Sequence, residues 1–257
     1  MNTGAEKILE IASLACILIL QNGGETYRAE EIAIRICKSG GYAESEVLAL
    51  PTGVCITLVA DGKPINTVVK RTIKRGIDLN KLERTNYIAR AFESRIYNED
   101  EAIDELNLID QIKPRHKLLV AGIGAVATVF FILLFGGNFF DCIIGFICGF
   151  TVHIISTSFK NANIYSFAMS FIGGIVISFI TVVTVTIFKI GNINLIIIGG
   201  IIPLLPGLAM INAIRDTMMG DLVSGVARLG EVLLIATSLA CGVGVVFYIY
   251  LALGGAI

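Results

Sequence analysis

The chain has 257 residues, with 20 Lys/Arg against 21 Asp/Glu and a formal net charge of −1. That balance excludes the basic surplus of a nucleic-acid binder, and the length bounds the chain to one large domain or two modest ones. The mean hydropathy of +0.80 hides a division: 16 Lys/Arg and 17 Asp/Glu fall within residues 1–117, leaving four of each for the last 140 residues. The charge distribution predicts an N-terminal α+β cytosolic domain over 1–112 and an α-helical membrane domain over 113–257. Six cysteines are scattered without a C-x-x-C pair or a neighbouring His, so metal-site spacing is absent and no metal or cofactor is expected.

Residues 8–20, ILEIASLACILIL, are too short to span a bilayer. Glu6 and Glu10 stand where a signal peptide would carry positive charge. Ile8, Ile11, Ala12, Ala15, Leu18 and Ile19 share one helical face, which predicts a core helix over 4–21. A second helix is expected over 24–39, between Gly23-Gly24 and Gly40-Gly41. Its first turns carry Glu25, Arg28, Glu30 and Glu31, suited to the helix dipole and to i, i+3 pairing. A gate or ligand contact made by Glu25, Arg28 and Glu30 is the functional alternative. Strands over 53–60 and 64–70 flank an Asp61-Gly62-Lys63 turn, and helices over 80–98 and 100–112 lead to Pro114. The domain has no histidine before His116 and no Walker-type loop, so no nucleotide-driven pump is readable in it. Carboxylates such as Glu25 and Glu30 could do acid–base chemistry, which keeps a membrane-tethered hydrolase open as the weakest reading.

Five apolar segments follow, over 117–135, 139–157, 164–188, 193–214 and 229–253, each near the ~20 residues a spanning helix needs. Lys113, Arg115 and Lys117, then Lys160, then Arg215 and Arg228 fall on one side and Lys189 on the other. The positive-inside rule then puts the N-terminal domain in the cytoplasm and the C-terminus outside a cell (inner) membrane. Tyr248 and Tyr250 fit an interfacial belt or a buried position equally. Gly145 and Gly149 form a G-x-x-x-G, and Ser166, Ser170, Gly174, Ser178 and Thr181 a small-residue stripe, both suited to close helix packing; a hydroxyl-lined solute path is the sharper alternative for the stripe. His153 within the second span is a proton-relay candidate, with a neutral hydrogen-bonded imidazole as its alternative. Asp141 is expected to be an exposed cap. An odd number of spans is half of an inverted-repeat plan, in which the solute site lies between two halves.

The fourth segment is expected to break at Pro203 and Pro206, because each removes a backbone donor and clashes with the preceding turn. Carbonyls freed within a bilayer need protein or a water-lined cavity. The helix restarting near Gly207 offers N–H groups and a positive end to a carboxylate. Beyond it Asn212 and Asp216 share a face at i, i+4, with Arg215 adjacent. Asp221, Ser224, Arg228 and Glu231 form a second stripe at helical spacing. A proline-kinked helix followed by an amphipathic connector is the structural alternative.

The run L-P-G-x-x-x-x-N-A-I-R-D-x-x-x-G-D-x-x-S-G-x-A-R-x-x-E from Leu205 to Glu231 resembles the threonine/serine exporter family. So do G-G-E-T-Y-R-A-E-E at Gly23–Glu31 and PTGVCITL at 51–58. Full-length members carry two five-span halves; this sequence holds one, like the larger member of split two-component exporters, one kind of which is linked to succinate. The resemblance implies proton-driven export of small carboxylate-bearing solutes, threonine, serine or a dicarboxylate, with a second five-span subunit or as a homo-oligomer. It further implies that the Pro203–Gly207 break meets the solute carboxylate and Arg215 or Arg228 adds a cationic contact. Asp216, Asp221 or Glu231 would then balance charge or carry a proton. A membrane-anchored sensor or scaffold is the alternative from a different class.

Overall fold

The computed structural model describes residues 4–73, 76–112, 116–159 and 166–255. Lys113, Pro114, Arg115 and Lys160, used above for orientation and boundaries, lie outside them. The chain divides into two compact units. The first comprises Met1–Lys113 with Leu208–Gly230, and the second Pro114–Gly207 with Glu231–Ile257. A stretch expected to belong with the membrane segments thus clusters with the N-terminal residues.

In the first unit, α1 (Gly4–Gln21) is apolar on nearly every side, and Ile8, Leu9, Ile11, Ala12, Ser13, Ala15 to Leu20 are all buried. A helix without a polar face must be surrounded. It is: α2 (Thr26–Ser39), α3 (Leu79–Glu93), α4 (Glu99–Asp110) and strands β2 and β3 pack around it. Helix α2 gives the core Ala29, Ile32, Ala33, Ile36 and Cys37, the i, i+3, i+4, i+7, i+8 pattern of one face.

The sheet is antiparallel in the order β1 (Glu46–Leu50), β2 (Gly53–Ala60), β3 (Lys63–Arg71). Asp61 (φ 52°) and Gly62 (φ 69°) make the two-residue turn that joins β2 to β3, the left-handed pair that matches strand twist. Strand β1 was not expected, since four of the five residues of EVLAL, all but Val47, are good helix formers; only Ala49 within it is buried. Helix α3 ends five residues before the expected 98. Arg95 takes a left-handed conformation (φ 57°), and the Ile96 N–H closes on the Ala91 carbonyl at 2.8 Å, a Schellman ending. Asn98 and Glu101 then form the capping box of α4.

The second unit is built from α5 (Lys117–Leu134), α6 (Phe139–Phe159), α7 (Ser166–Phe188), α8 (Ile193–Ile201) with a 3-10 turn at Ile202–Leu204, and most of α10 (Leu222–Ala252). Among the described residues four helices, α5, α6, α7 and α10, are long and apolar enough to cross a membrane, five if α8 and α9 (Gly207–Met218) count as one broken span. Helix α10 begins seven residues before the expected 229. Gly149 lies against Thr128 and Ala125, and Gly145 against Ile132, so the G-x-x-x-G packs α6 on α5. On α7, a Cβ on Gly174 would stand 2.5 Å from the Leu239 carbonyl of α10. Ser170, Ser178 and Thr181 return their hydroxyls to the carbonyls of Ser166, Gly174 and Ile177. The stripe is a close helix contact with its hydroxyls satisfied internally. Tyr248 is exposed and Tyr250 half-buried.

Two expectations need correcting. Pro203 does not break the helix; it sits in the 3-10 turn that continues α8, and the chain turns out at Leu205 (φ −67°, ψ 139°). A residue before proline is driven from the helical to the extended region, so Pro206 sets the break. Asp141 is a cap but not an exposed one, at 1 % exposure. Its Oδ2 accepts from the Asn138 N–H at 2.9 Å and its Oδ1 from the Asn192 N–H at 2.7 Å, tying the start of α6 to the start of α8.

Candidate functional site

The two motifs singled out in the sequence meet inside the first unit. The turn between α1 and α2 is built on Gly23 (φ 89°). Next to it Gly24 donates its N–H to the Ile19 carbonyl at 2.9 Å, and a Cβ there would overlap the Ile19 side chain. This tight passage leaves the Gly23 and Gly24 carbonyls facing outward from α1. Asn212 Nδ2 donates to the first at 2.8 Å and Arg228 Nη2 to the second at 2.9 Å.

Glu25 is the N-cap residue of α2, yet its side chain caps nothing. Instead Oε1 accepts from Arg215 Nη1 at 2.6 Å, while Oε2 lies 3.7 Å from Arg28 Nε. Thr26, fully buried, gives two hydrogen bonds to the fully buried Asp216: its N–H to Oδ1 at 2.9 Å and its hydroxyl to Oδ2 at 3.0 Å. Arg228 completes the group. Its Nε stands 2.9 Å from Asp216 Oδ2, and its Nη2 donates to Thr26 Oγ1 at 3.3 Å. Asn212 and Asp216 share one face of α9, as their i, i+4 spacing predicts, and both are buried.

The loop from α9 to α10 has its own logic. The Gly220 N–H bonds the Thr217 carbonyl and the Asp221 N–H bonds the Asp216 carbonyl at 2.9 Å, with Gly220 at φ 96°. That is a Schellman ending, which explains the glycine of R-D-x-x-x-G-D. Asp221 directly precedes Leu222, the first residue of α10, where a negative charge suits the helix dipole. Its Oδ2 is buried without a hydrogen-bond partner among the described residues. Ser224 is buried in the same turn. Beside it Gly225 lets that turn approach α9: a Cβ would stand 3.0 Å from the Ala213 carbonyl and overlap Thr217 Oγ1.

The charges perturb one another. Burial pushes the Glu25 carboxyl up, but its own N–H, the Arg215 hydrogen bond and the Arg28 and Arg215 charges outweigh it and hold it below the usual range. Glu30 is raised, first by burial and then by the Asp221 and Asp216 charges, against a lowering bond from the Ala49 N–H at 2.7 Å. Asp221 is raised by burial and then by Asp216.

Of the predicted residues, the structure thus joins Glu25 and Arg28 to Arg215, Asp216 and Arg228, with Asn212 held to the Gly23 carbonyl. Glu30 turns to β1, so Glu25 and Glu30 do not converge as a catalytic pair. Pro203, Pro206 and Gly207 belong to the second unit, where the Gly207 N–H is taken by the Leu205 carbonyl at 2.8 Å. Glu231 is half-buried in that unit. His153 Nδ1 lies 2.9 Å from the Gly149 carbonyl and its ring packs on Gly124; facing a carbonyl, that nitrogen is the donor. No group of three or more His, Cys, Asp or Glu able to hold a metal ion occurs among the described residues. Sequence reasoning did not single out Thr26, Gly23 and Gly24 as site residues. The signal was their place in G-G-E-T, beside a charge that does not cap its own helix.

The family described as "Putative threonine/serine exporter" (ThrE) matches residues 10–250. The "Probable succinate transporter subunit YjjP" of Escherichia coli (strain K12) is 22 % identical over 254 residues, 95 % of this chain and 95 % of that protein. The protein of the same name from Klebsiella aerogenes is 23 % identical over 239 residues, 90 % and 89 % of the two chains. No solved structure matches. The family is one of transporters and not of enzymes, and with a match over nearly its whole length this chain belongs to the threonine/serine exporter family.

Proposed function

We propose that the chain is half of a secondary exporter of small carboxylate-bearing solutes, coupled to protons and completed by a second five-span subunit or by further copies of itself. The observation that carries the reading is the group formed by Glu25 with Arg215 and by Thr26 with Asp216 and Arg228, its acidic members buried, which unites the two family motifs. A mere anchor would need neither buried charges nor a broken fourth span. The relatives' names make a dicarboxylate such as succinate one candidate solute, and the family description makes threonine and serine the others. Asn212, Arg215, Asp216 and Arg228 recognise the solute. Asp221 and Glu30, both raised by burial and by neighbouring carboxylates, are candidates to carry the proton. The N-terminal residues face the cytoplasm and the C-terminus the outside.

The test is efflux from cells preloaded with labelled threonine, serine and succinate, expressing the chain alone and with a candidate five-span partner. Efflux is expected with the partner, and Asp216→Asn and Arg228→Ala should lower it at least tenfold while both proteins remain in the membrane. Undiminished efflux by both variants would remove these residues from the pathway.

A further inference from the structure

The Glu25–Thr26 dipeptide presents an unusual set of groups to its partners. A carboxylate meets Arg215 and Arg28, an N–H meets one oxygen of Asp216, and a hydroxyl meets the other while accepting from Arg228. A hydroxy amino acid carries the same three groups on a small skeleton: carboxylate, nitrogen donor and hydroxyl. A dicarboxylate carries the first of them twice. Resting on the transport reading above, we propose that Glu25 and Thr26 are a built-in occupant of a carboxylate-recognition site formed by Arg28, Arg215, Asp216 and Arg228. The solute binds by displacing them.

Three observations support this. Glu25 is 5 % exposed and sits at an N-cap, but its carboxylate is turned away from its own helix onto Arg215. Asp216 is fully buried and takes both Thr26 bonds. If the dipeptide withdrew with nothing in its place, a buried carboxylate would lose two donors, a strongly unfavourable state. Withdrawal is therefore coupled to arrival of a ligand offering equivalent groups. The segment that must move is preceded by Gly23 in a left-handed conformation and by Gly24, and glycine has wider backbone freedom than other residues. The chain would be self-liganded at rest, and its apparent affinity for solute would be reduced by the fraction of time the dipeptide occupies the site.

The experiment uses the full chain in lipid nanodiscs and labelled threonine, serine and succinate. Glu25→Gln should bind at least one solute about tenfold more tightly than the wild type, and adding Arg215→Ala should abolish the gain. A gain for threonine or serine that Asp216→Asn removes identifies the hydroxy amino acid. A gain for succinate that survives Asp216→Asn identifies the dicarboxylate. In the wild type, saturating solute should accelerate hydrogen exchange across residues 23–28, a readout that needs no variant to fold. Equal or weaker binding by Glu25→Gln, with exchange at 23–28 unchanged or slowed by solute, overturns the proposal. Efflux with that result would leave the transport reading standing without self-occlusion. Tighter binding by the variant without efflux of any solute would overturn transport and keep the occupant, and failure of both measurements would dispose of both.

Discussion

Arg215 and Arg228 show how burial separates two residues that look alike in sequence. The Arg215 side chain is 54 % exposed and that of Arg228 11 %, while their acidic partners are both buried. Asp216→Ala would remove the buried carboxylate that faces the Arg228 guanidinium and holds Thr26, and should cost ~3–5 kcal/mol of local stability. Arg215→Ala, with Arg28 still beside Glu25, should cost only about 1 kcal/mol. Hydrogen exchange across residues 23–28 in the full chain would rank them, and an equal effect would refute the distinction. The charges also predict a pH dependence of mixed sign. The carboxyls of Glu30 and Asp221 are raised, so the folded state binds more protons than the unfolded one just above ordinary carboxyl values, near pH 4. Stability through these two groups falls as pH rises from there to their raised values. Glu25 is lowered and acts oppositely; its contribution is present above the ordinary value and lost as pH falls through its depressed one. Glu30→Gln and Asp221→Asn should therefore raise the melting temperature at pH 7 and flatten the decline, whereas Glu25→Gln should weaken the loss in acid. Melting curves from about pH 2 to 8 check both.

At the scale of elements, the glycines of the second motif carry the sharpest expectations. Gly225→Ala would press a methyl group on the Ala213 carbonyl and on Thr217, driving α10 from α9. A loss of ~1–3 kcal/mol is expected, the range for overpacking. Gly220→Ala meets open space but a φ of 96°, and should lose about 1–2 kcal/mol from the left-handed backbone alone. Thermal unfolding of the two variants would separate crowding from backbone strain, since Thr217→Ala, which removes the overlapped hydroxyl, should relieve only the first. The apolar helices and the hairpin were legible in the sequence because their periods and turn residues are local. Strand β1 was not, since four of its five residues, all but Val47, favour a helix and the contacts that make it a strand come from β2 and from Glu30. The break was legible only to within three residues, because Pro203 can ride in a 3-10 turn while Pro206 forces Leu205 out. Nor was the burial of Asp141, whose second partner lies 51 residues away.

For the whole molecule, the sequence marked both motifs but not their meeting. Neither motif names its partner; the hint was charge alone, Glu25 on one side and the Arg215 and Arg228 guanidinium groups on the other. The proposed orientation can be checked without knowing the solute. In a cysteine-free background, Lys189→Cys should react with a membrane-impermeant maleimide in intact cells, and Glu44→Cys only after lysis. Both positions are exposed. The reverse pattern would invert the chain and place the solute contacts on the wrong face for export.

The first unit is discontinuous, and its polar group joins residues 189 to 204 positions apart. At a synthesis rate of about 5–20 residues per second, Thr26 leaves the peptidyl-transferase centre roughly 10 to 40 seconds before Asp216 exists to receive it. During that interval the nascent chain holds a Gly-Gly-Glu-Thr segment with no acceptor, while apolar helices are being delivered to the bilayer. Maturation of the N-terminal residues is thus scheduled by the ribosome, and a chain interrupted before Arg228 could not close its own first unit.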